Sequence, residues 1–269
     1  MCIRDRYVAC VTASEMPSTF DEEALKAQSV AARTYAMAKI LKYDEKRPES
    51  HPDAPLCDTT HCQAYKSEDK LIEIHEDGWE ESGFKKVRKA CEATEGELLY
   101  YDGELVTQPL FFSSSGGQTE NSEDVFTGAY PYLVSVSSPY EENASHQNEE
   151  KEFSLEEIKT LLAKAYPDRT LVSVSASSIE IISRTDGGRV EKMQVGEASF
   201  KGTEIRNALG LSSALFSISF SGDGSRIIFT SDGFGHGVGL SQYGADGMAK
   251  EGSGYKEILS HYYTGTEVH

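Results

Sequence analysis

Hydrophobic positions along the chain fall into short groups whose spacing changes several times. Residues 7–13, YVACVTA, form a compact run rich in β-branched side chains and predict an extended segment. From Asp21 to Lys42 the pattern becomes helical. Ala24, Leu25, Ala27, Ala31, Ala32, Tyr35, Ala36 and Ala38 give a broad face of small side chains, against which another element must pack closely. Asp21, Glu22 and Glu23 open this helix and Lys39 and Lys42 close it, both favourable to the macrodipole. A second helix is predicted over Glu80–Ala93, followed by GELLYYDGELVTQPLFFSSS, where Asp102-Gly103 between two alternating apolar runs predicts a hairpin. The chain then turns at SSSGGQT.

From about residue 150 the pattern changes again. SLEEIKTLLAKAY opens on a Ser154/Glu157 capping box. A hairpin turned at Asp186-Gly187-Gly188, a short helix and a strand pair around SGDGS follow. The last part predicts helices near Ser241–Lys250 and Tyr255–Tyr263. Together these elements predict an α+β fold of two lobes with a cleft between them. Residues 1–148 form the first lobe, 149–230 a smaller second lobe, and 231–269 a segment that returns to the first.

Charge narrows the partners. With 26 basic and 44 acidic residues in 269, the net charge of −18 repels an extended phosphate backbone, which argues against nucleic acid. The acidic runs, YEENASHQNEEKEF among them, read as solvated faces, whereas QPLFFSSSGGQ and GFGHGVGLSQYG are neutral islands. No window has the apolar length of a membrane span, and MCIRDRY lacks the apolar centre of a signal peptide. Because strand-like YVACVTA starts almost at residue 1, the natural N-terminus, and any anchor on it, is expected to lie upstream.

Five blocks, SEMPSTFDEEALKAQSVAARTYA, CDTTHCQAY, SSSGGQTENSEDVF, YPYLVSV and GHGVGLSQYGADGMA, occur in an order that resembles the stage II sporulation protein D / LytB family across nearly the whole chain. The resemblance implies a peptidoglycan lytic transglycosylase that trims glycan strands during engulfment of the forespore, at the outer face of a membrane. It also implies, as partners, peptidoglycan glycan strands, a cell-wall amidase and other engulfment proteins. Three function classes stay open: the transglycosylase, a non-catalytic glycan-binding enhancer of an amidase, and a metal-dependent hydrolase.

Cleaving a glycosidic bond requires a protonated carboxyl group at the leaving oxygen. Glu15 is the candidate: placed between a strand end and a helix start, with Pro17 fixing the backbone after it, its carboxylate is held where partial desolvation raises its pKa. A lytic transglycosylase needs only this one carboxylate, because the sugar's own 6-hydroxyl attacks C1. Arg33 is expected beneath or beside Glu15, as a substrate-binding residue that positions the glycan or pairs the carboxylate after proton release. For glycan binding the candidates are Ser114, Ser115, Gly116 and Gly117, with His236, Gln242 and Tyr243 in the second neutral island, and Tyr65 and Tyr132 as stacking rings.

His51, Cys57, His61 and Cys62 place four zinc-type ligands within twelve residues, in a spacing that matches no common finger. Three states fit Cys57 and Cys62: zinc held with His51, His61 serving as substitute; a disulfide; or free thiols. The resemblance includes members with this pattern that bind zinc there. A loop starting so soon after the long helix is expected to fold back towards Glu15.

Overall fold

The structure, a computed structural model, describes residues 3–59 and 61–269; Cys2 lies outside the described residues. The first departure from the sequence pattern is at its start. Residues 7–13 are not extended: they belong to helix α1, Ile3–Glu15. Val8, Ala9, Cys10, Val11 and Thr12 are all at most 1% exposed, so the segment is buried on every side. A short continuous apolar run carries no period that separates strand from helix, and packing overrides the β-propensity of Val and Thr. Glu15 therefore ends a helix rather than a strand.

The long helix forms as its pattern predicts. α2, Glu22–Lys42, is N-capped by Asp21, whose side chain accepts from the Glu23 amide at 3.0 Å. Its alanines are buried, and Gln28, Ser29, Arg33 and Thr34 are buried with them, because α1 and two later helices enclose it. α3 follows at Glu68–Ile74, then a π-helical turn at Glu80–Phe84 that continues into α4, Lys85–Ala93. The hairpin joins β1, Leu99–Tyr101, to β2, Glu104–Leu105, with Asp102 at φ 50° and Gly103 at φ 79°. Both central residues are left-handed, the geometry that suits right-twisted strands.

The corner between α1 and α2 is fixed from several sides. Met16 and Phe20 are 2% and 6% exposed. Trp79 donates its indole N–H to Ser18 Oγ at 3.1 Å, Lys86 donates to the Phe20 carbonyl, and the Asp21 amide donates to Asp246 at 2.7 Å.

Two compact units divide the chain: the residues up to Phe111 with Ala245–His269, and Phe112–Gly244. The sequence pattern put its boundaries at 148/149 and 230/231. β3, Phe111–Phe112, marks the entry to the second unit. That unit contains the one-turn helix α5, Ser122–Val125, then β4, Glu149–Ser154, and α6, Leu155–Ala165, with the Ser154/Glu157 capping box in place. Next come β5, Ile179–Arg184, β6, Val190–Val195, β7, Ala198–Lys201, and α7, Gly202–Leu209. β8, Phe216–Phe220, and β9, Arg226–Ser231, complete two three-stranded antiparallel sheets, ordered β4-β9-β8 and β5-β6-β7. Their core includes Ile158, Leu162, Met193, Phe200, Ile205, Phe216 and Phe229. β10, Leu240–Ser241, precedes the exit. α8, Gln242–Lys250, leads back to the first unit, where α9, Tyr255–Tyr262, packs on α2 and β11, Thr266–Val268, pairs with β1. The whole is mixed α+β, as predicted.

Candidate functional site

Glu15 is the last residue of α1 and is half-buried. Its Oε1 accepts a hydrogen bond from the Ala64 amide at 2.6 Å. The stretch around Ala64 runs along α1: the Lys66 amide donates to Ser14 Oγ at 3.0 Å, and Gln63 donates to the Tyr7 hydroxyl at 3.0 Å. Tyr65 stacks on Tyr7 with ring centres 5.3 Å apart and planes at 17°. Burial pushes the Tyr7 phenol up to about 12 against the opposing effect of Gln63, so the hydroxyl stays protonated. Tyr65 thus has one face on Tyr7 while remaining half-buried.

Two residues before Ala64 lies the Cys/His group. His51, Cys57, His61 and Cys62 put one ligand atom each within 4.8 Å of the others. Cys62 Sγ is 3.3 Å from His51 Nε2 and 3.7 Å from His61 Nδ1, and Cys57 Sγ is 3.7 Å from His61 Nδ1. His51 Nδ1 lies 2.8 Å from the Ala54 carbonyl, which fixes the proton on Nδ1 and turns the Nε2 lone pair towards the thiols. No disulfide joins Cys57 and Cys62. Burial works to raise the Cys57 thiol, but hydrogen bonds from Thr59, His61 and Cys62 outweigh it and lower it to about 6. Burial pushes Cys62 up. The loop bearing these residues does fold back onto the Glu15 segment.

Arg33 is elsewhere. It is 5% exposed and donates to the Cys91 carbonyl at 3.0 Å, to the Glu97 carbonyl at 3.3 Å and to Thr94 Oγ1 at 3.4 Å, closing the C-terminal end of α4. Its ion-pair partner is Asp5 at 3.8 Å. Asp5 stands ten residues before Glu15 on α1, about 15 Å along the helix axis. Position in the α2 pattern was therefore a poor guide to Arg33, whose guanidinium completes a helix cap. Arg33→Lys is expected to lower unfolding stability by about 2 kcal/mol, because one ammonium cannot serve two carbonyls and a hydroxyl in a plane. Urea unfolding of the two proteins checks this.

The remaining candidates lie in the second unit, and half of them are enclosed. Ser114 and Ser115 are 0% exposed and Tyr132 is 5% exposed, so none offers its side chain to a polymer. Ser115 is held by Glu141, itself 6% exposed. Its carboxylate accepts from the Ser115 amide at 2.8 Å, Ser115 Oγ at 2.9 Å, the Gly116 amide at 3.2 Å and Ser138 Oγ at 2.7 Å, and from Ser241 Oγ. Gly117 is exposed and its amide donates to Ser115 Oγ at 2.9 Å. Gln242 is 6% exposed, while Tyr243 is half-buried with its amide on the Ser113 carbonyl at 3.0 Å. His236 is half-buried between the rings of Phe112 and Phe126.

Comparison with known proteins places these features in a family. The family described as "Stage II sporulation protein" matches residues 4–101, and a domain of unknown function matches residues 131–239. Over 98% of this chain and 74% of the relative, the sequence is 38% identical to the stage II sporulation protein D of Bacillus subtilis. The chain belongs to the stage II sporulation protein D family. The protein of that name from Bacillus amyloliquefaciens is 36% identical over 98% of this chain and 73% of its own length. A Bacillus subtilis protein named amidase enhancer is 28% identical over 96% of this chain and 39% of its own length. Among the described residues, no helix is long and apolar enough to cross a membrane.

Two features of this stage II sporulation protein D family member escaped the sequence pattern. Glu141 sits inside an acidic run read as a solvated face, yet it is buried and holds the SSSGG turn; the surplus of donors in that turn was the only hint of a missing acceptor. The second is the buried pair of Arg189 and Glu120, 3% and 0% exposed in their side chains and 3.3 Å apart. Arg189 also donates to the Ser115 carbonyl at 2.9 Å and the Gln118 carbonyl at 3.1 Å, and Thr185 donates to Glu120 at 2.8 Å. Burial pushes the Glu120 carboxyl up and Arg189 down, each opposed by its partner. Glu141→Gln is expected to cost about 2–4 kcal/mol, because an amide replaces one charged acceptor by a donor facing other donors. Thermal unfolding of the variant measures it.

Proposed function

We propose that this chain is a peptidoglycan lytic transglycosylase acting at the cell wall, outside the cytoplasmic membrane, during sporulation, with Glu15 as its single acid and base. The observation that carries the proposal is the 2.6 Å bond from the Ala64 amide to Glu15 Oε1 at the end of α1. The amide occupies Oε1, so the transferable proton is assigned to Oε2. Glu15 gives this proton to the glycosidic oxygen as the C1–O bond breaks. The 6-hydroxyl of the same sugar then attacks C1, and the carboxylate takes the hydroxyl proton. A 1,6-anhydro end forms, no water is consumed and Glu15 is restored. One carboxylate suffices, whereas hydrolysis would call for two. Digestion of peptide-free glycan followed by mass spectrometry tests the reading: anhydro ends support it, and hydrated ends or unchanged strands refute it.

His51, Cys57, His61 and Cys62 fit a zinc ion. Their donor atoms are mutually close, their chemistry is that of a two-thiolate, two-imidazole set, and His51 is already oriented by Ala54. With His61 as the fourth ligand the set is complete, so the ion would supply a structural cross-link of the loop. The similarity to a protein named amidase enhancer favours a second reading, a glycan-binding partner of a cell-wall amidase. Release of stem peptides by an added amidase, stimulated equally by wild type and Glu15→Gln, would support that reading instead.

A further inference from the structure

The serines and Tyr132 suggested by the sequence are enclosed, which raises the question of what the second unit presents outward. Three of its segments, 112–119, 126–139 and 233–244, contain no Asp, Glu, Lys or Arg in a chain of net charge −18. From two of them large rings reach solvent: Phe126 is 41% exposed and Phe234 43%. Each is paired with a histidine. Phe126 meets His236 edge-on at 5.3 Å, and Phe234 is stacked on His146 at 4.5 Å with planes at 29°. The buried Phe112 lies beneath His236 at 5.5 Å.

Phe234 and His236 are two residues apart, so their Cα atoms are at most about 7 Å apart. Both histidines are anchored. His236 Nδ1 accepts from the Val238 amide at 3.1 Å, which leaves the proton on Nε2, and His146 Nδ1 is held by Glu149 at 2.6 Å. The result is two fixed ring pairs whose phenylalanines lie on uncharged segments, with His146 held by the Glu149 carboxylate.

We infer that Phe126, His236, Phe234 and His146 form a platform that holds the uncharged backbone of a glycan strand. The inference rests on the peptidoglycan reading above and assigns the binding role to residues other than the enclosed serines. Aromatic faces cover the apolar C–H surfaces of sugar rings. An anionic or cationic polymer would find no counter-charge in these three segments. Rings already fixed by neighbours lose little freedom on binding.

Binding of the full chain carrying Glu15→Gln to immobilised peptide-free glycan strands tests this without consuming the polymer. Adding Phe126→Ala and Phe234→Ala together is expected to raise the half-saturating concentration about tenfold. The melting temperature should stay within about 2 °C, since both rings are exposed. Binding before these changes should be insensitive to sodium chloride. Ile182→Ala, which trims a side chain 50% exposed on β5, should leave binding unchanged. Undiminished glycan binding by the double variant would overturn the inference. So would loss of self-association or of amidase capture in place of glycan binding, because the face would then serve a protein. A wild-type chain that holds glycan through these rings but forms no anhydro ends refutes the catalytic reading alone.

Discussion

Glu15→Gln is expected to lower the rate of anhydro-end formation by a factor on the order of 10³, with glycan binding and melting temperature unchanged. The amide keeps the size of the side chain and can still accept the Ala64 hydrogen bond through its oxygen. It has no proton to give the leaving oxygen and cannot take one from the 6-hydroxyl. Glu15→Asp makes the test sharper: it keeps the chemistry but withdraws the carboxyl by one methylene, so it should retain a small measurable rate. Cleavage by Glu15→Gln at more than about a tenth of the wild-type rate would rule out a single-acid mechanism.

Loss of metal should have the largest effect on stability. Protein purified under reducing conditions is expected to carry about one zinc per chain, and neither Cys57→Ser nor Cys62→Ser should retain it. Chelation should lower the melting temperature by on the order of 10 °C, since an ion held only by the folded loop stabilises it by mass action. Protons compete with zinc for the thiolates. The folded Cys57 thiol is lowered to about 6, so the thiolate is present above that value and lost below it. Zinc should therefore be released as the pH falls, with Cys62, which burial pushes up, taking its proton before Cys57. An intact mass two hydrogens below the reduced value, with no metal, would replace the ion by a disulfide.

Local chemistry in the sequence was a sound guide where one residue type dictates the geometry. Asp102-Gly103 made a left-handed two-residue turn, and Ser154 and Glu157 made a capping box, because each depends on atoms a few bonds apart. Features set by burial were harder to see. YVACVTA looks like a strand until α2 and α4 surround it, and Glu141 looks like one more solvated acid until serines from three separate segments converge on it. Arg33 shows the same limit: its place in a small-residue face indicated depth, while its partners on α4 come from sixty residues further along the chain. The Cys/His group was legible as a ligand set, and the structure added that all four members come together and that the loop returns to Glu15.

The indole hydrogen bond to Ser18 makes the chain's single tryptophan an optical probe of the corner that bears Glu15. Trp79 is 6% exposed and lies in the first unit, so its emission registers the loosening of that unit and is silent about the other. Far-ultraviolet circular dichroism registers both. Denaturation curves recorded by the two signals on one sample would thus separate a chain that melts as a whole from one whose units melt in turn.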